Sequence, residues 1–245
     1  MAQSAEFSRN LKLARNGNAK AQCNVAFAYL DGDGTAKDAS KALYWFEKSA
    51  AQGLSGAQYG LGNMYFDGVG VAVDYAKAAD LYRKAALQGL DEAQNNLGMC
   101  YMNGYGVEKN PSEGFRWYEK AAAQGNLDAL TNLAECYLIG NGVNADPKKG
   151  FGMASQAASS GRYGAQYMLG VCYEQGIGCE KNLDDAAGWY ESSSGFGYLP
   201  ATYNLGVMLY NGYPDGSRRE EGKELIRKAA AQGFQPAAET LKQIQ

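Results

Sequence analysis

Histidine does not occur anywhere in the 245 residues. Its absence removes the usual general base at neutral pH, the commonest nitrogen ligand for metals, and the partner that activates serine and cysteine nucleophiles. Also missing is any run of about 18 apolar residues, so no segment is read as a membrane span. There is no basic excess either. Lysine and arginine number 23 against 26 acids, for a net charge of −3. A chain of that balance carries no electrostatic footprint for phosphate backbones, so nucleic acid is not expected as a partner. The first residues, MAQSAEFSRNLKLARNG, lack the apolar core of a signal peptide. The expectation is a cytoplasmic protein, or a periplasmic or secreted one if a leader has been removed.

What is present is enough for a folded chain: 46% hydrophobic and 20% charged residues. Above all there is a beat. Glycine recurs every 36 residues at Gly17, Gly53, Gly89, Gly125, Gly161, Gly197 and Gly233, and alanine follows four residues later, from Ala21 to Ala237. A period of this size marks stacked repeats. Such repeats work by presenting a surface.

One repeat, read from Gly56 to Asp91, resolves into two helices. Ala57, Leu61, Met64 and Tyr65 form one helical stripe, and Gly68 ends it in a left-handed cap. The same glycine stands at positions 32, 104, 140, 176 and 212. A second helix opens at Asp38, Asp74, Asn110, Asp146 or Asn182, whose side chains can accept orphan backbone N–H groups. Pro111 and Pro147 follow at the first helical position, where proline costs least. Ala78, Leu81, Tyr82, Ala85 and Ala86 make the second apolar stripe. Gly62, Gly98, Gly170 and Gly206 sit mid-helix, where close packing must offset their cost of about 1 kcal/mol. Cys100, Cys136 and Cys172 share one slot with Met64 and Met208 and read as a buried column, not as disulfides. A bridge between Cys172 and loop residue Cys179 is disfavoured.

The run from Ala93 through Leu97, Gly98, Tyr101, Gly104, Gly106 and Val107 to Trp117, Tyr118, Lys120, Ala121, Ala122, Gln124 and Gly125 resembles the Sel-1-like repeat, a relative of the tetratricopeptide repeat. The match extends over about residues 18–235. The resemblance implies an all-α, right-handed α/α superhelical solenoid acting as an adaptor or scaffold. It is read as a single domain: a capping helix in 1–17, six repeats at 18–53, 54–89, 90–125, 126–161, 162–197 and 198–233, and a closing helix in 234–245. Departures are local. Leu209, Pro214 and Arg218 alter the turn of repeat six. Gly150, Gly152 and Ala154 point to repeat four as the weakest joint. Some relatives carry paired cysteines in each repeat and are associated with β-lactam compounds; that pairing is missing here.

In this architecture the first helices line a concave face. Four columns are expected on its solvent side. They contain no lysine or arginine, four carboxylates (Asp31, Asp67, Glu135, Glu174), six aromatics and two methionines. Aromatic and methionine anchors beside amides suit polypeptide binding. The candidate contact residues are Tyr59, Asn63, Phe66, Asn95, Met99 and Met102 in the first three repeats. In the last three they are Glu135, Leu138, Tyr167, Val171, Tyr203 and Tyr210. The expected partner is a protein or peptide segment, apolar or mildly basic, bound by a monomer. Asp31-Gly-Asp33-Gly has the opening of a calcium loop, but Thr35, Ala36 and Ala42 stand where its remaining ligands and glycine belong. The sequence calls for no metal and no cofactor. The expectation is a non-catalytic scaffold. The alternatives are an immunity protein blocking one toxin, and a binder or hydrolase of cell-wall material or β-lactams.

Overall fold

In most repeats a side chain starts the second helix and a glycine stops the first. In the computed structural model, which describes residues 4–244, Asp38, Asp74, Asn110 and Asp146 accept the backbone N–H three residues ahead at 2.9–3.1 Å. Asn182 does the same for Asp184 and Asp185. Gly32, Gly68, Gly104 and Gly176 close the first helices in the left-handed conformation. A side chain there would be strained.

The chain falls into two compact units that meet in sequence at Asn126 and Leu127. The first unit holds α1 (Ala5–Arg15), α2 (Ala19–Asp31), α3 (Ala39–Ala51), α4 (Ser55–Asp67), α5 (Tyr75–Leu87), α6 (Asp91–Asn103) and α7 (Pro111–Ala123). The second holds α8 (Leu127–Ile139), α9 (Pro147–Ser159), α10 (Tyr163–Gln175), α11 (Leu183–Gly195), α12 (Leu199–Tyr210), α13 (Arg219–Ala231) and α14 (Gln235–Gln243). All regular structure among the described residues is helical. Within each unit every helix packs on the one before and the one after it, the arrangement of an α-solenoid. Among the described residues no helix is long and apolar enough to cross a membrane.

Inside a hairpin, glycine and ring are matched. Tyr82 lies over Gly62, Tyr118 over Gly98 and Tyr190 over Gly170; a Cβ on these glycines would come within 2.7, 2.6 and 2.4 Å of a ring carbon. Repeat four has neither partner: Ala154 replaces the ring and Ala134 the glycine, and both are wholly buried. The backbones of this hairpin, read from the sequence as the weakest joint, nonetheless approach closely. A Cβ on Gly150 would meet the Ala134 carbonyl oxygen at 2.8 Å, the place that Gly114 and Gly222 fill in their own hairpins. Gly152 faces open space. The cysteine column is buried, and all five cysteines are free thiols. Burial pushes Cys23, Cys100 and Cys172 up to about 11 and Cys136 up to about 12. Thiols of that kind are inert at neutral pH.

The turn of repeat six departs as its sequence suggests. Its first helix stops at Tyr210, and Arg218 starts α13 without a side-chain cap. Arg218 instead binds Glu191 at 3.0 Å and Glu221 at 2.7 Å, while the Tyr213 hydroxyl donates to Asp184.

A polar ladder runs where the sequence reading places no interaction. Gln22 and Gln94 are buried and donate to the carbonyls of Ala14 and Ala86, each at 3.1 Å. Gln52, Gln88 and Gln124 in turn donate to Gln22, Gln58 and Gln94 at 2.7–2.8 Å. Each complete rung ties three successive helices, and buried amides must be paired in this way. The rung fails at Gln166. It reaches Ala158 at 3.5 Å, but its own oxygen is buried without a partner. The residue that would donate is Phe196, which lies 66% exposed. Replacing Phe196 with glutamine should therefore stabilise the chain by about 1 kcal/mol, the order of a buried acceptor gaining its donor. A raised denaturation midpoint at unchanged slope checks this; an unchanged midpoint contradicts the ladder.

Candidate interaction faces

The first helices of each unit offer a face built from side chains that their hairpins only half cover. In the first unit, Tyr59, Asn63, Phe66, Asn95 and Met99 are all partly buried. Asn63 is engaged internally, accepting from the Tyr82 hydroxyl at 2.8 Å and from the Asn96 amide at 3.3 Å. Burial holds the Tyr82 phenol well above its ordinary pKa, so it stays a neutral donor to Asn63. One of the candidate contact residues expected on the solvent side is not there. Met102 is buried, because Gly114 has no Cβ and leaves room for its side chain. Cys23 is likewise buried. Met102 is thus a packing residue of its hairpin and not a contact residue.

Phe66 belongs to an aromatic cluster that sequence reasoning missed. Its ring lies 5.0 Å from Tyr75 and 5.6 Å from Tyr105, and those two lie 5.2 Å apart. Tyr75 and Tyr105 are 41% and 38% exposed. Their signal was positional. Tyr75 opens a second helix where other repeats have Ala39, Pro111, Pro147, Leu183 or Arg219, and Tyr105 lies between two turn glycines.

In the second unit Glu135 is exposed, while Leu138, Tyr167, Val171, Tyr203 and Tyr210 are half-buried. Leu138 lies against Gly150. Val171 packs with the Tyr190 and Leu205 cluster, and Tyr210 with Ile226 and Ala237. Tyr203 meets Phe234 in a tilted contact at 5.5 Å and shares a hydrogen bond of 2.9 Å with Thr240 of the closing helix. Tyr167 stands among rings: 5.9 Å from Tyr190 and 5.4 Å from Tyr198, which is itself 5.3 Å from Tyr163. Tyr163 and Tyr198 escape the four columns because they sit at helix starts. The Tyr190 hydroxyl donates to Glu174 at 2.6 Å and accepts from Asn204 at 3.3 Å. Burial, and then the Glu174 charge, raise the pKa of Tyr167; burial, and then Tyr167, Glu135 and Tyr163, raise that of Tyr198. These phenols stay neutral at physiological pH.

The sequence profile of the Sel1 repeat matches six times, at residues 19–54, 55–90, 91–126, 127–161, 164–194 and 199–234. The chain belongs to the Sel1 repeat family. Sel1 repeat proteins are generally protein-interaction scaffolds. Among solved structures, a Sel1 repeat protein from Oxalobacter formigenes is 31% identical over 87% of this chain and 85% of that one, with a TM-score of 0.81. The protective antigen c5321 of uropathogenic Escherichia coli, which displays an SLR fold, is 29% identical with a TM-score of 0.65; the match covers 97% of this Sel1 chain and 59% of that protein. The immunity protein Pa5087 from Pseudomonas aeruginosa is 26% identical over 90% of this chain and 82% of that one, with a TM-score of 0.54. No curated protein sequence matches this Sel1 chain.

Proposed function

We propose that this Sel1 repeat protein is a non-catalytic scaffold that holds a polypeptide partner on the first-helix faces of its hairpins. The observation that carries the reading is the composition of those faces. Half-exposed aromatic side chains and Met99 share these faces with carboxylates, and the four columns contain no lysine or arginine. Rigid aromatic anchors dominate binding energy at protein interfaces, and a negative rim favours a basic or neutral segment. The absence of histidine and the inert thiols leave nucleophilic catalysis without its usual groups.

The test is to identify the partner by affinity capture and then measure its affinity for a chain with Tyr59, Phe66, Tyr167 and Tyr203 replaced by alanine. The affinity should fall at least about tenfold, since even one anchor can be worth that much, while helicity by circular dichroism is preserved. Unchanged affinity would overturn the reading.

A second reading is favoured by the likeness to the immunity protein Pa5087. On this reading the partner is a single toxin, neutralised in a one-to-one complex. Co-expression that rescues cells from the product of a neighbouring gene would support it. A chain that binds several unrelated proteins with similar affinity would exclude it.

A further inference from the structure

Four asparagine–glycine pairs occur in the chain: Asn16–Gly17, Asn103–Gly104, Asn141–Gly142 and Asn211–Gly212. Such a pair is chemically labile, because glycine has no Cβ to hinder attack by its own nitrogen on the asparagine side chain. The attack needs that nitrogen free. In three of the pairs the fold withholds it. Gly17 donates to the Ala14 carbonyl at 3.0 Å, Gly104 to that of Cys100 at 2.8 Å and Gly212 to that of Leu209 at 3.0 Å, each at the end of a helix. Asn103 is held twice, since its side-chain amide also donates to the Met99 carbonyl at 3.0 Å.

The pair at Asn141 lies one step later in its turn. Gly140, with positive φ, follows the last residue of α8, and the bonds that close the helix come from Gly140 and Asn141 themselves. Both donate to the Cys136 carbonyl, at 2.9 and 3.0 Å. The Gly142 N–H makes no backbone hydrogen bond among the described residues. The same holds for Gly34, Gly70, Gly106 and Gly178 at the matching place of other turns. The residues before these five glycines are Asp33, Val69, Tyr105, Asn141 and Ile177, so Asn141 alone offers an amide there.

We infer that Asn141 is the site at which the folded chain deamidates. The Gly142 nitrogen loses its proton to solvent and bonds to Cγ of Asn141. The Cγ–Nδ2 bond breaks, the side-chain nitrogen leaves as ammonia with a proton from solvent, and a five-membered succinimide remains. Water then adds to one of the two ring carbonyls and opens the ring to aspartate or isoaspartate. The turn already accommodates the first product, because Asp33 stands at the same place before Gly34. Either product adds a negative charge to a net charge of −3, just past the end of the helix that carries Glu135 and Leu138.

The experiment keeps the full folded chain at mildly alkaline pH, digests samples over time and follows the four Asn–Gly peptides by mass and elution. A parallel sample is held in urea, where only local sequence distinguishes the sites. The ratio of folded to unfolded rate should be at least about fivefold higher at Asn141 than at each other site, the scale of one backbone hydrogen bond that must first open. Asn141→Gln should remove the fast component while helicity is unchanged. Similar ratios at all four sites, a larger ratio at Asn16, Asn103 or Asn211, or a fast component that survives in Asn141→Gln would overturn the assignment.

Discussion

Tyr82→Ala is expected to cost about 3–5 kcal/mol, the range for a fully buried aromatic removed from a core. The ring is 1% exposed and fills the space that Gly62 leaves by lacking a Cβ. It also lies 6.1 Å from Tyr59 and 6.4 Å from Phe66, and its hydroxyl donates to Asn63. Removing it opens a cavity between the two helices of one hairpin and takes from Asn63 one of its two hydrogen bonds, leaving the one from Asn96. Tyr82→Phe keeps the ring and loses only the hydroxyl bond, so it should cost about 1 kcal/mol. Equilibrium denaturation of both variants separates the two contributions. If the alanine variant loses no more than the phenylalanine variant, the ring is not what joins the helices.

Gly106→Ala should destabilise the chain by clearly more than Gly89→Ala, although both residues have positive φ, +67° and +91°. At Gly89 a Cβ would meet nothing within 4 Å. Its substitution costs only the left-handed backbone strain, about 1–2 kcal/mol. At Gly106 a Cβ would lie 2.0 Å from the backbone oxygen of Tyr75, in the preceding hairpin. Backbone cannot rotate aside as a side chain can, so the two hairpins must part, adding about 1–3 kcal/mol. Thermal unfolding of the two variants side by side checks this. Equal losses would show that the joint between these hairpins relaxes freely.

The contrast also marks what the sequence could and could not convey. Both glycine series were legible as helix stops, because positive φ is a local property of one residue. The N-caps from Asp38 to Asn182 were legible for the same reason. The matching of Tyr82 to Gly62 was half legible: the small residue signalled a close approach without saying what approached. The glutamine ladder was not legible. Gln22, Gln58 and Gln94 read as polar positions, and only three-dimensional packing brings Gln52, Gln88 and Gln124 back to them across 30 residues. On the first-helix faces, Tyr59, Phe66, Tyr167 and Tyr203 are half-exposed. Met102 was misplaced because its burial depends on Gly114, a residue of the other helix. Tyr163 and Tyr198 were missed because they join Tyr167 from a helix start and from the next hairpin.

The ladder has a further consequence for how such a chain can change length. A rung uses one glutamine from each helix of a hairpin and a carbonyl from the helix before, and those parts recur at identical intervals in the first three repeats. Any of these hairpins therefore presents the same socket upstream and the same plug downstream. A duplicated or deleted hairpin would find its bonds already cut to fit, so unequal recombination within the gene can lengthen or shorten the array in whole steps. Where the plug has been lost, as at Phe196, that interchangeability ends, and the hairpin is committed to its present neighbours.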